Sequence, residues 1–181
     1  MRQLFFLLSL NFLLACNNET GKPKEVKQYT IEQFYKSTEA FGGSFNSDDS
    51  KLLYTSNESG IYNIWEADLA TGKSVQKTFS TTESFFSDGY VPGTNYFLYN
   101  ADKGGNENSH IYLQGNDSTA KDLTPGVNER ASLLKWSRNL KSIYYTSNFR
   151  DPRFNDLYKM DTADWKPVLL YKNETGFVLS D

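Results

Sequence analysis

The chain has 181 residues, with 19 Lys and Arg against 22 Asp and Glu, a formal net charge of −3 at pH 7. That near balance excludes the basic face a nucleic-acid partner requires, and a mean hydropathy of −0.60 excludes a polytopic membrane protein. One Cys and one His rule out a disulfide scaffold and a His-rich metal site, while 12 Tyr, 13 Phe and 3 Trp tilt the composition toward pleated, half-buried β surfaces.

Residues 1–15 read as a signal peptide. Arg2 supplies the positive flank and Leu4 to Leu14 the apolar stretch. As a helix that stretch spans about 16 Å at ~1.5 Å per residue, too short for a ~30 Å hydrocarbon core. Leu13-Leu14-Ala15-Cys16 resembles a bacterial lipobox, in which a small residue precedes the Cys that takes the lipid. Cys16 is therefore the expected lipidation site, and cleavage before it leaves 166 residues. Residues 16–29 are polar and expected to act as a flexible tether. Asn17 follows the Cys where an Asp would resemble an inner-membrane retention signal. The expected location is the cell envelope, anchored by lipid, at the outer membrane.

Thr30-Ile31-Glu32-Gln33 has the form of a capping box and predicts a short helix within residues 30–38, with Phe34 and Tyr35 expected to pack against the rim of the β-rich body. Beyond it the chain repeats. Tyr54, Tyr99 and Tyr145 are 45 and 46 residues apart, and the apolar anchors Ile64, Ile111 and Leu157 are spaced by 47 and 46. A period near 46 built of short strands and polar turns predicts β-propeller blades. The second strand of each unit is expected at Leu52–Ser56, Tyr96–Ala101 and Ser142–Ser147, and outer strands at Lys73–Thr78 and Lys166–Tyr171. Turns fall where Asp, Asn, Ser and Gly collect, as in Ser47-Asp48-Asp49-Ser50 and Ala70-Thr71-Gly72. The expected fold is all-β: a partial propeller with four-stranded blades at about 39–80, 81–125 and 126–173. Residues 174–181 would open a fourth. Rings of this kind use about 4–8 blades, so the chain is expected to hold an incomplete ring without chemistry of its own.

The search for chemistry agrees. A nucleophile elbow needs G-x-S-x-G at a strand-to-helix turn. The nearest string, Gly42-Gly43-Ser44-Phe45-Asn46, ends in Asn and leads into a strand. His110, the sole candidate general base, opens a strand with no triad context. Asn46, Asp48 and Asp49 lack the ladder and terminal bidentate Glu of calcium loops and read as turn chemistry. No catalytic, cofactor or metal residues are assigned, and no cofactor is expected. Arg150 and Arg153, in the long loop Asn148 to Asn155, are the candidates for contact with a peptide or partner.

Ser47-Asp48-Asp49-Ser50, Tyr54-Thr55-Ser56, Ile64-Trp65 with Asp68, and Thr71-Gly72-Lys73 resemble the TolB-like propeller repeat. The tethered Thr30-Ile31-Glu32-Gln33-Phe34-Tyr35 before the first blade is similar to the lead-in of envelope members of the prolyl oligopeptidase family. That resemblance implies a propeller that gates peptide access to a downstream α/β-hydrolase domain carrying a Ser-Asp-His triad. The alternative is a non-enzymatic TolB-like lipoprotein acting as a scaffold or a peptide- or glycan-binding module.

Overall fold

The structure, a computed structural model, describes residues 26–117 and 119–178. The signal peptide, Cys16 and most of the tether lie outside the described residues. The chain divides into two units, residues 1–37 and 38–181.

In the first unit, α1 (Ile31–Tyr35) is a single turn and a half. Thr30 accepts the Gln33 backbone N–H, and the Gln33 side chain reaches back to accept the Thr30 N–H at 2.9 Å, so both halves of the capping box form. Five residues are too few to build a buried stripe. Phe34 and Tyr35 stay exposed rather than packed, and Phe34 sets its ring edge-on to Tyr29.

The second unit is three antiparallel sheets of four sequential strands each. The first holds β1 (Ala40–Phe45), β2 (Lys51–Ser56), β3 (Asn63–Asp68) and β4 (Ser74–Gln76). The second holds β5 (Phe86–Tyr90), β6 (Phe97–Ala101), β7 (His110–Gln114) and β8 (Ala120–Asp122), and the third β9 (Ala131–Trp136), β10 (Ser142–Ser147), β11 (Asp156–Asp161) and β12 (Pro167–Tyr171). These are propeller blades, three in sequence. Residues 172–178 form no strand, so the opening strand expected for a fourth blade is not seen over 174–178; residues 179–181 lie outside the described region.

Burial explains why the middle sheet is the most apolar. Along β6, Phe97, Tyr99 and Ala101 face the first sheet and pack with Leu53 and Ile64, while Leu98 faces the third and packs with Ile143, Tyr145 and Met160. Side chains of this size contribute roughly 1.5–3 kcal/mol each when fully buried. The first junction adds polar ties between sheets. Ser44 Oγ accepts the Tyr90 N–H, Thr55 Oγ1 the Ser87 N–H and Ser47 Oγ the Gly93 N–H. Tyr90 donates its hydroxyl to Glu66 at 2.7 Å, and Lys51 and Lys77 pair with the same carboxylate. Burial pushes Glu66 up, but the Tyr90 hydroxyl and the two lysines outweigh it and hold its pKa below the usual range.

The outer faces of the arc are less covered. Leu52, Tyr54 and Trp65 on the first sheet are half-buried, every residue of β12 is exposed, and the Trp65 indole nitrogen is buried without an acceptor among the described residues.

Each first strand carries a bulge in its pairing, between Phe41 and Ser44, between Ser87 and Gly89, and opposite Tyr144 and Tyr145. The insertion adds local twist to the strand. Gly89 is needed at its bulge, since its φ is +100° and a Cβ there would meet Ser44 Oγ at 2.9 Å.

A buried Asn locks the outer strand of the first sheet. Asn63 Oδ1 accepts from Thr78 Oγ1 at 3.0 Å and from the Ser80 N–H at 2.9 Å, and its amide donates to the Ser80 carbonyl at 3.0 Å. Asn63→Ala strands these groups and is expected to cost roughly 2–4 kcal/mol, lowering the thermal midpoint by on the order of 5–10 °C in a domain of this size. Thermal denaturation of the variant beside the parent chain checks this; an unchanged midpoint removes Asn63 as a structural tie.

Candidate functional site

Position by position, the three blades place a polar side chain at the start of their third strands: Asn63, His110 and Asp156. Each ties that strand to the chain at the end of the outer strand. Asp156, fully buried, accepts the Asn173 N–H at 2.8 Å and a two-nitrogen contact from Arg150 at 2.6 and 2.8 Å. Arg150 also donates to the Asn173 carbonyl at 2.9 Å. The guanidinium holds Asp156 below the usual carboxylate range. Arg150 is thus first a structural clamp, with Nη1 outside the contacts to Asp156 and Asn173. Arg153 lies at the exposed tip of the same loop, paired with Asp151 and stacked over Phe154 at 5.1 Å.

His110 Nδ1 sits 2.7 Å from Asp122 Oδ2, and its ring ends a stack running through Tyr112 and Tyr99 to Phe85. This is an oriented His–Asp pair, but no serine or cysteine is hydrogen-bonded to it among the described residues. Ser44 lies within β1 and uses its hydroxyl to accept the Tyr90 N–H. Asp48 accepts from the Ser50 N–H and hydroxyl, and Asn46 from the Lys51 N–H, as turn residues do. Among the described residues, no group of three or more His, Cys, Asp or Glu could hold a metal ion.

A concave site lies between the second and third blades, a cleft of about 610 Å³. Tyr145 and Tyr158, stacked at 5.4 Å, form part of its lining with Leu123, Pro167, Leu169 and Trp165. Four charged residues line it, Lys121, Asp122, Glu129 and Arg150. Glu129 is 6% exposed and accepts the Ser147 hydroxyl at 2.6 Å; burial pushes its carboxyl up. Tyr158 is raised by burial and by Asp156 and Glu129, while Arg150 pulls it the other way, so Glu129 and Arg150 act on one phenol.

Trp165 is the feature that sequence reading passed over. Its N–H bonds the Asp161 carbonyl at 2.8 Å, as the Gly72 N–H bonds that of Asp68 at 2.8 Å in the first blade. The two residues fill the same turn slot, with φ of +55° and +69°. A glycine enters that region without strain and a bulky residue does not. Setting Asp164-Trp165-Lys166 against Thr71-Gly72-Lys73 was the available signal.

Comparison with known proteins places the chain among propellers. Dipeptidyl aminopeptidase BIII of Pseudoxanthomonas mexicana is 33% identical over 135 residues, covering 71% of this chain and 19% of that protein. TolB from Acinetobacter baumannii superposes with a TM-score of 0.56 at 20% identity, over 73% of this chain and 32% of its own. A prolyl endopeptidase structure does so with a TM-score of 0.57 at 14% identity, over 74% and 22%. No family model matches the chain. The fold is the TolB-like propeller, and the chain resembles the propeller part of such peptidases. It spans about a fifth of the length of the curated relative it matches.

One buried charge stands apart from these sites. Asp88, in the β5 bulge, accepts from Asn100 at 3.1 Å with one oxygen, while the other is buried without a partner among the described residues. Burial pushes its pKa up to about 6. Because the folded value lies above the unfolded one, the stabilisation is full below about pH 4 and is lost as pH rises through about 6. A shift of this size corresponds to roughly 2–3 kcal/mol. Asp88→Asn is expected to be more stable than the parent at pH 7.5 and to flatten the slope between pH 4 and 7 in denaturant titrations. An unchanged slope contradicts the assignment.

Proposed function

We propose that this chain is the N-terminal propeller portion of an exported serine peptidase of the prolyl oligopeptidase type, gating peptide access to an α/β-hydrolase domain. The observation that carries this reading is the 33% identity, over 135 residues, with a dipeptidyl aminopeptidase. The half-covered faces of the first and third blades support it, since sheets of this kind ordinarily bury both faces against neighbours. In this role the propeller contributes no reacting group. It excludes folded proteins by size and presents short peptides to the catalytic domain. The test is activity-based labelling of the native envelope with a fluorophosphonate, followed by capture with an antibody to residues 38–178. The captured species is expected to be labelled and to exceed 20.7 kDa. An unlabelled species at or below that mass contradicts the proposal. It would favour the second reading, a non-enzymatic envelope lipoprotein, which the TolB superposition supports.

Both readings share an anchor. The sole cysteine, Cys16, follows an apolar stretch and Ala15, the arrangement that lipid transfer requires. Cells fed a radiolabelled fatty acid are expected to label this chain, and Cys16→Ser to abolish the label. Equal labelling of the variant removes the anchor, and fractionation of the labelled protein tests the outer-membrane location.

A further inference from the structure

We propose that the cleft between the second and third blades binds a short zwitterionic peptide through a flat apolar side chain, with the peptide ammonium at Glu129 and its carboxylate at Arg150. The site is independent of whether a catalytic domain accompanies the propeller.

Three observations converge on it. The first is shape and chemistry: a cleft of about 610 Å³ whose lining includes the stacked pair Tyr145 and Tyr158, with Pro167 and Leu169 from β12. Such a surface accepts a planar ring by offset stacking. The second is Trp165. The equivalent slot in the first blade holds glycine at the same hydrogen bond and the same sign of φ. Here a tryptophan is held in the left-handed region, and its side chain lines the cleft and packs against the core between the blades. Backbone strain of this kind persists where the surroundings enforce it, and it clusters at ligand sites.

The third is charge. Glu129 is 6% exposed; one of its oxygens takes the Ser147 hydroxyl, and the other has no hydrogen bond among the described residues and is open to solvent. A largely buried carboxylate that offers one free oxygen to the cleft suits a cation. Arg150 spends Nε and Nη2 on Asp156 and Asn173, which leaves Nη1 without a hydrogen bond among the described residues. Both charges line the cleft with the Tyr158 phenol and act on it in opposite senses. An anion alone would meet Glu129, and a cation alone would meet Arg150. A zwitterion answers both, and the ring between them supplies the apolar contact. Lys121 and Asp122 also line the cleft and add no net charge of either sign.

Isothermal titration of the detergent-extracted full chain with Gly-Phe tests the proposal. Saturable binding with a sub-millimolar Kd is expected. N-acetylphenylalaninamide, which keeps the ring and lacks both charges, is expected to bind at least tenfold more weakly, and so is Gly-Gly, which keeps the charges and lacks the ring. Trp165→Gly restores the residue that the first blade uses, so it is expected to fold and to lose binding at least tenfold. Glu129→Gln keeps the shape and the Ser147 contact and is expected to weaken Gly-Phe without changing the affinity for the blocked analogue. Absence of saturable binding, or equal affinity for the blocked analogue, overturns the proposal. So does unchanged binding in Trp165→Gly; should that variant fail to fold, unchanged binding in Glu129→Gln overturns it alone.

Discussion

The third strand of every blade begins with a polar side chain, buried in the first and third blades and half-buried in the second, and the outer strand depends on it. Outer strands here are short, three residues in β4 and β8, and a ladder that brief gives few hydrogen bonds. Asn63, His110 and Asp156 compensate by binding the segment at the end of the outer strand. The three solutions differ in chemistry. Asn63 is neutral and self-sufficient, donating and accepting at once. Asp156 is charged and needs Arg150 to remain buried. His110 works through a carboxylate, Asp122, on the outer strand itself. Because a buried unpaired group costs more than a hydrogen bond returns, the choice at this position dictates what its neighbours must be.

Much of this was legible in the sequence. The 46-residue period located the blades because tyrosine and aliphatic anchors recur at the two central strands, where burial leaves little freedom. The capping box was readable because it is local, closed over four residues. What escaped were relations between residues far apart in the chain. Nothing near Arg150 announces that Asn173 will accept from it, and from sequence Arg150 is a candidate contact for a peptide or partner. The bulges in the first strands were also silent: each inserts a single residue, and these short, partly exposed strands carry too little apolar alternation for the insertion to show.

The cleft shows the same boundary. Its residues come from the β8 region and the linker to β9, and from β10, β11, β12 and the connecting loops of the third blade, segments far apart in the chain. Composition located the aromatics correctly in the strands but could not say which would meet a neighbouring blade and which would be left facing a gap. That distinction rests on which residues of the second and third blades come together, a relation between segments far apart in the chain. Trp165 was visible to a repeat alignment that compared turns as carefully as strands.

The two junctions between blades also differ in how they resist sliding. At the first, Tyr90, Glu66, Lys51 and Lys77 form a directional network flanked by the Ser44 and Thr55 bonds. Directional bonds fix one alignment and break when the sheets shear. At the second, contact is carried by aliphatic and aromatic surfaces such as Leu98 against Ile143, together with one backbone bond from Ala131 to Ser109. Such surfaces tolerate small displacement at little energetic cost. Displacement of one blade against the next is therefore expected to cost least at the second seam, where the cleft opens between the outer strands.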